Sequence, residues 1–565
     1  MPVVNVRPSL LSRIFPERTI EEIIEKLPYL GLDIEGFDKI NDKIRIEFNP
    51  NRPDFSSELG IVRALKGILN LELGCPRIHD LRSSSVSIIV DEQLKYVRPI
   101  IYGLIAKRDF PINNEELTQL IAMQEDLHNG LGRKRKKSSI GLHNYDALTF
   151  PLSYKGISRQ IKFVPLDYHK EYSLENILTD FDIGRKYGHI LEKSELVPIL
   201  TDAKENVVSL PPIINGNATQ VNLLTSNLFV EVTSVNSKSA KDILSILSFE
   251  LSDMGFDLYS VVIDSPVSGK TVTPLLEPYT IQLEFDYVNK ILGLDLTHEE
   301  ILQCLRRSRC EGRDIGGGKL ECTIPSYRID LFDKVDICEE VAIGYGIFNL
   351  SPSYSGTYFI GQKNSQSIIF DKVRDILIGL GFMEVINPDI ISKNLISNVF
   401  LEGDLIDKNL VSMGDSKNTE FDLLRNSLIP SLINTFSNNI HEKYPQKLFE
   451  IGKTFSSINN EIRENWSLCV SIAHNSSDYT EIKSNLESFM KYCFNELVNT
   501  PRYNTSYFLT GHSARIFLKD QVIGEIGEIH PQVLENLNLR TLITIFELNL
   551  SSVSKILKLD QIRIV

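Results

Sequence analysis

Cysteine is scarce: seven residues among 565, none of them arranged as Cys-x-x-Cys. The chain therefore offers no disulfide framework and no zinc-ligand spacing. Long apolar runs are missing as well, so nothing in the sequence is built to cross a bilayer. The opening Met1-Pro2-Val3-Val4-Asn5-Val6-Arg7 lacks the charged-then-apolar order of a secretory leader. A cytoplasmic protein with no membrane partner is expected. Basic excess is also lacking. The net charge is −14, which argues against a general nucleic-acid coat. Local RNA-binding patches, or a partner subunit that carries the basic surface, remain open. There is no His-Glu-x-x-His and no Gly-x-Ser-x-Gly, so zinc peptidase and serine hydrolase chemistry have no support. Gly312 through Lys319 hint at a phosphate loop, but the spacing is one residue too long and Leu320 follows Lys319. A hairpin turn is expected there. No fixed-period repeat or low-complexity tract occurs.

What is present has the balance of a globular protein, 42% hydrophobic and 24% charged, with length for roughly three to five domains. Mixed helix-like and strand-like segments predict an α+β multidomain chain. Residues 1–83 form a first α+β domain, with a Pro/Asn-dense turn at Asn49-Pro50-Asn51-Arg52-Pro53-Asp54. Residues 257–278 are expected to return and complete it. Residues 84–256 make a second domain, closed by an amphipathic helix with apolar positions at Ile243, Ile246, Leu247 and Leu251. Residues 279–350 alternate short helices with a hairpin around Gly316-Gly317-Gly318, a winged-helix-like arrangement. Residues 351–361 read as a linker, and 362–565 as α+β with an antiparallel sheet.

Four carboxylates stand in one stretch, 328–346: Asp330, Asp336, Glu339 and Glu340. The last three are spaced i, i+3 and i+4, so a helix puts them on one face. Such acids repel one another unless a cation or basic partner compensates, and a hard ion such as Mg²⁺ suits oxygen ligands. The spacing equally fits a plainer arrangement, with Asp330 or Asp333 capping a helix and the other acids at its positive end.

Six segments in chain order resemble the beta subunit family of phenylalanine–tRNA ligase, of archaeal and eukaryotic type. They are Glu47-Phe48-Asn49-Pro50-Asn51-Arg52-Pro53-Asp54, Gly132-Arg133-Lys134-Arg135-Lys136-Lys137, Ser209-Leu210-Pro211-Pro212-Ile213-Ile214-Asn215, the acidic stretch, Phe449-Glu450-Ile451-Gly452 and Gly527-Glu528-Ile529-His530-Pro531. The resemblance implies an (αβ)₂ heterotetramer with an alpha subunit that charges tRNA(Phe) with phenylalanine at the expense of ATP. It implies that the beta chain supports assembly, helps bind tRNA and hydrolyses mischarged tyrosyl-tRNA in a B3/B4-like editing domain at 84–256.

Carried over residue by residue, the resemblance makes Asp330, Asp336, Glu339 and Glu340 Mg²⁺ ligands in the winged-helix-like domain. It makes Ser209, Leu210, Glu231 and Thr233 the lining of an editing pocket. Glu231 could accept the hydroxyl that distinguishes tyrosine from phenylalanine, and Thr233 could fix the pocket or a water. Ser234-Val235-Asn236 stand where the family commonly has Gly-Thr-Asp, which puts the strength of editing in doubt. By pattern alone, 230–233 reads first as an edge strand with polar outward positions. The run Arg133, Lys134, Arg135, Lys136 and Lys137 could meet tRNA phosphates or be a solvated loop. The C-terminal domain resembles a class II synthetase core without its ATP-clamping arginines: the nearest candidate, 524–530, has none. A catalytically silent copy is expected, with Arg425 structural or interfacial. Two other readings stand beside this one: a stand-alone hydrolase of mischarged tRNA, and a non-enzymatic tRNA-binding scaffold.

Overall fold

The structure, a computed structural model, describes all residues except 1, 79–80, 193, 267–268, 353, 355, 357–359, 402–408, 415–420, 460 and 560–565. Part of the expected linker, at 353, 355 and 357–359, lies outside the described residues. The chain divides into two units, Met1–Tyr354 and Ser355–Val565.

The first unit opens with a three-stranded sheet whose middle strand is Lys43–Glu47, flanked by Val3–Val6 and Asp33–Asp38. Alternation decides its face: Ile44 and Ile46 are fully buried while their neighbours point outward. The helix Glu58–Ile68 follows, capped by the Ser57 side chain, which accepts from the Gly60 N–H.

A ten-stranded sheet forms the body of this unit. From one end its strands run Ile214–Asn215, Val207–Leu210, Leu196–Thr201, Leu152–Ser158, Ser87–Val90, Asp257–Ser265, Ile100–Lys107, Asn227–Ser234 and Ser138–Asn144. Gly269–Thr273 pairs with Asp257–Ser265 off that path. The expectation that 257–278 completes the first domain is therefore corrected. Asp257–Ser265 is an inner strand of the second sheet because it is apolar on both faces. Leu258 packs with the helices Asn114–Asn129 and Ser237–Asp253, and Val261 and Ile263 pack into the opposite core. The ends of the sheet curl toward each other. Asn215 Nδ2 donates to Leu142 O at 3.3 Å, and Ser209 Oγ donates to Glu231 Oε1 at 3.0 Å.

The remaining part of the unit has a sheet with Lys319–Ile324 between Tyr279–Glu284 and Glu311–Gly316. Helices Phe285–Leu292, His298–Arg307 and Lys334–Tyr345 pack on it. Gly316, Gly317 and Gly318 all have positive φ, the conformation that lets this hairpin turn and that glycine alone adopts freely. No phosphate loop forms there.

The second unit is a six-stranded sheet in the order Met383–Glu384, Gln446–Ile458, Glu461–Ala473, Ile543–Asn549, Gln521–Ile529, Phe508–Leu518. All neighbours are antiparallel except the first pair. Helices Ser365–Gly379 and Tyr479–Phe494 cover one face, and Ile429–Asn438 and Pro531–Asn536 the other. Among the described residues no helix is long and apolar enough to cross a membrane.

Candidate functional site

A cavity of about 490 Å³ opens where the ends of the ten-stranded sheet meet. Ser209, Leu210 and Glu231 line it, together with Pro211 and Pro212. Glu231 lies on an inner strand, with Gly103 directly opposite on one side and Gly141 on the other. A Cβ on Gly141 would stand 2.6 Å from both Glu231 Oε1 and His143 Nε2. The missing side chain is what leaves room for the carboxyl.

Glu231 is only 2% exposed. Its Oε1 accepts from Ser209 Oγ, but its Oε2 is buried without a partner. His143 is buried too. Its Nδ1 is 2.9 Å from Thr219 Oγ1, while its Nε2 has no partner and stands 4.0 Å from Glu231 Oε1, beyond hydrogen-bond reach. A buried polar atom without a partner costs about 1–3 kcal/mol. One of the two atoms, Glu231 Oε2, belongs to a residue that lines the cavity; His143 is fully buried behind it.

Thr233 does not line the cavity. It is fully buried and accepts from Arg98 Nε at 2.9 Å, with Ser139 Oγ at 2.8 Å. Arg98 also donates to Thr233 O. Burial pushes the Arg98 guanidinium down to about 10. Thr233 thus anchors the strand behind the site. Ser234 bonds to Ser138 and to Lys137 O, so the departure at 234 joins this anchor and leaves the cavity wall unaltered.

The basic run divides. Arg133, Lys134 and Lys136 are exposed. Arg135 instead turns into the cavity wall, donating to Ile213 O at 3.0 Å and to Glu125 Oε1 at 2.7 Å. His128 supports the same carboxylate. Its Nε2 accepts the Ile140 N–H, so Nδ1 carries the proton and donates to Glu125 at 3.0 Å. Hydrogen bonding by His128 and the nearby Arg135 charge draw Glu125 down to about 2.

The four carboxylates expected to hold Mg²⁺ lie near one another but do not form a metal-binding group. No group of three or more acidic, His or Cys side chains among the described residues could hold a metal ion. Arg328 supplies the cation instead. Its Nε and Nη2 clamp Asp330 at 2.9 and 2.8 Å, and its Nη1 reaches Glu340 at 3.0 Å. Burial raises the Asp330 carboxyl, but the Arg328 charge and hydrogen bonds hold it below its ordinary value. Asp336 is spent as a helix cap, accepting from the Phe332 and Asp333 N–H groups, with Asp333 at the N-cap position. Only Glu339 is left, held above the ordinary carboxyl range by partial burial and by Glu340, Asp330 and Asp336. The residues present do not fit a resident four-carboxylate Mg²⁺ site. The same cluster explains the 49–54 turn. Arg52 clamps Asp54 at 2.9 and 2.8 Å, the geometry of Arg328 on Asp330, and it feels the charges of both those residues.

In the second unit, Glu450, Cys469, Glu547 and Glu525 lie on one rung across four strands. Arg425 is buried and committed to Glu450 at 2.6 Å and Asp389 at 2.8 Å. Burial pushes Glu547 up to about 7.

Comparison with known proteins is decisive. Residues 281–347 match the tRNA synthetase B5 domain and 353–550 the phenylalanyl tRNA synthetase beta chain CLM domain. The chain is 35% identical to the phenylalanine–tRNA ligase beta subunit of Archaeoglobus fulgidus, over 98% of each protein. The chain belongs to the phenylalanine–tRNA ligase beta subunit family. It is a component of an aminoacyl-tRNA ligase. The family's Methanocaldococcus jannaschii member is 34% identical over 97% of this chain and all of that protein. A solved N-terminal fragment of the Pyrococcus horikoshii phenylalanyl-tRNA synthetase beta subunit is 32% identical, with a TM-score of 0.58. The match covers 61% of this chain and 99% of that fragment.

Gly141 was missed from sequence, and Arg135 was expected to meet tRNA phosphates rather than to line a cavity. A glycine inside the apolar strand 138–144 was the available signal, since strand glycines mark close approach.

Proposed function

We propose that this chain works with a phenylalanine–tRNA ligase alpha subunit in an (αβ)₂ assembly in the cytoplasm, where the alpha subunit charges tRNA(Phe) using ATP. In this reading the cavity at the sheet seam hydrolyses tyrosyl-tRNA(Phe). The observation that carries it is the buried, unpartnered Glu231 Oε2. The phenol hydroxyl of tyrosine donates to that oxygen and satisfies it. Phenylalanine fills the same space and leaves it unpaired, at about 1–3 kcal/mol, or roughly 5- to 150-fold in discrimination. Ser209 holds Glu231 by its other oxygen, and Gly141 keeps the space open. Water is the attacking group in this reading, since the carboxylate that holds the Ser209 hydroxyl is the one assigned to the tyrosine hydroxyl.

The second unit is read as the non-charging half. Glu525 and Glu547 stand directly opposite each other in register, and Arg425 is already paired. A triphosphate set against those carboxyls meets repulsion rather than the compensating charge it requires. Mg²⁺ is left to the nucleotide on the charging subunit, and no step here passes through Asp330, Asp336, Glu339 or Glu340. The exposed Arg133, Lys134 and Lys136 are positioned to meet tRNA phosphates near the cavity.

The test is co-purification with the alpha subunit. Phenylalanine charging by the pair and none by this chain alone is the expected result. Release of tyrosine from mischarged tRNA is expected to be lost in Glu231→Ala. Charging by the isolated chain, or undiminished tyrosine release by that variant, would overturn the reading.

A further inference from the structure

The five-residue basic run does two jobs, and Arg135 does the unexpected one. Its neighbours Lys134 and Lys136 are exposed. Its own side chain is only 12% exposed and lines the cavity. Arg133, Lys134 and Arg135 all have left-handed φ values, +48°, +53° and +64°. Non-glycine residues adopt that region singly and at a cost. Three in succession throw the chain into a reversed turn that sends Arg135 back under the loop while the other cations face out.

A guanidinium has five N–H groups. Nη1 donates to Pro212 O at 3.4 Å and to Ile213 O at 3.0 Å, and Nη2 donates to Glu125 Oε1 at 2.7 Å. The group also lies over the Tyr187 ring, 4.5 Å from its centroid. These contacts fix its plane. The Nε–H is buried and has no acceptor, and one Nη2–H has none among the described contacts. So one cavity combines unspent donors on Arg135 with an unspent acceptor on Glu231. The complement is a ligand with a hydroxyl donor and a carbonyl oxygen. A tyrosyl ester has both.

We propose that Arg135 is a catalytic residue, the donor that takes the carbonyl oxygen of the scissile ester. This rests on the deacylation reading above. As a water oxygen bonds to the carbonyl carbon, negative charge develops on the carbonyl oxygen, and a fixed guanidinium N–H stabilises it without reorganising. The bond from that carbon to the ribose oxygen then breaks. One water proton ends on the ribose hydroxyl, and the other is released when the freed tyrosine carboxyl ionises. Nothing is oxidised or reduced. Arg135 thereby differs from Arg133, Lys134 and Lys136, which act on phosphate affinity.

The experiment uses the full chain with its alpha partner. It measures single-turnover release of tyrosine from Tyr-tRNA(Phe), and the Kd of a non-hydrolysable amide-linked tyrosyl-adenosine. Arg135→Met and Arg135→Lys are expected to slow release about 10²-fold while leaving the analogue's Kd within about threefold; Lys keeps the charge but not the planar fork. Joint replacement of Arg133, Lys134 and Lys136 by Ala is expected to weaken tRNA binding and its salt dependence, the effect that Arg135→Met does not share. Glu125→Gln, which loosens the brace that fixes the Arg135 plane, is expected to slow release in the same direction by a smaller factor, about tenfold, with the analogue's Kd kept. This arm still reads the proposal if Arg135→Met does not fold. Wild-type rates in Arg135→Lys or in Glu125→Gln, or a loss confined to analogue affinity, would each overturn the assignment. A wild-type complex that releases no tyrosine would sink the deacylation reading and this assignment together.

Discussion

Gly141 stands directly opposite Glu231 across adjacent strands, and a Cβ placed on it would lie 2.6 Å from the Glu231 carboxyl. The space beside the pocket's acid is thus set by an absent side chain on the neighbouring strand. Gly141→Ala is expected to displace both Glu231 and His143. Overpacking of this kind costs about 1–3 kcal/mol of stability. Tyrosine release from mischarged tRNA should fall at least about tenfold, with phenylalanine charging by the complex unchanged. Comparison of the two activities in one preparation checks it.

Arg328 is the counter-charge of the acidic stretch, so its removal strands Asp330 and Glu340, both at least nine-tenths buried at the side chain. Breaking a buried pair from one side costs about 3–5 kcal/mol. Arg328→Met is expected to lose that much in a urea titration of the full chain. The same geometry predicts that chelating Mg²⁺ leaves the wild-type melting temperature unchanged. A fall of several degrees on chelation would show that the carboxylates hold a metal after all.

Glu250 is buried between the helices Glu58–Ile68 and Ser237–Asp253, with Ser57 donating to it. Burial pushes its carboxyl up to about 7. The folded state therefore holds a proton that the unfolded chain has lost above its ordinary range, about 4.3. The stability it contributes is full below that range and is lost as pH rises to about 7, at about 1.4 kcal/mol per unit of difference. Glu250→Gln should match the wild type near pH 4 and exceed it by a few kcal/mol at pH 8. Paired denaturant titrations at the two pH values read this directly.

Individual strands and turns of the first unit were legible because period and turn chemistry act locally. The strand carrying Val230, Glu231 and Val232 alternates, and the three glycines at 316–318 admit only a turn. Strand 257–265 was misplaced because its apolar residues suit any sheet, and the choice between sheets is made by long-range pairing. The Mg²⁺ assignment in the acidic stretch came from the resemblance, while the plainer reading from spacing had an Asp330 or Asp333 cap, and Asp333 stands at the N-cap. Spacing counts carboxylates on a helix face but not the arginine two residues upstream, whose reach neutralises two of them. Arg135 was hidden in a run of like residues, since its left-handed backbone, and not its identity, sends it inward. Thr233 was assigned to the pocket by the resemblance, but Arg98, 135 residues earlier, donates to its hydroxyl.

Discrimination by one unpaired oxygen is the centre of the account, and it has a direct measurement. Single-turnover release from tRNA(Phe) charged with tyrosine or with phenylalanine should be compared for the wild-type complex and for Glu231→Leu. The account predicts tyrosine released at least about tenfold faster than phenylalanine by the wild type, and that ratio collapsing to near one in the variant. Equal release of both amino acids by the wild type, or a ratio untouched by the substitution, would contradict it.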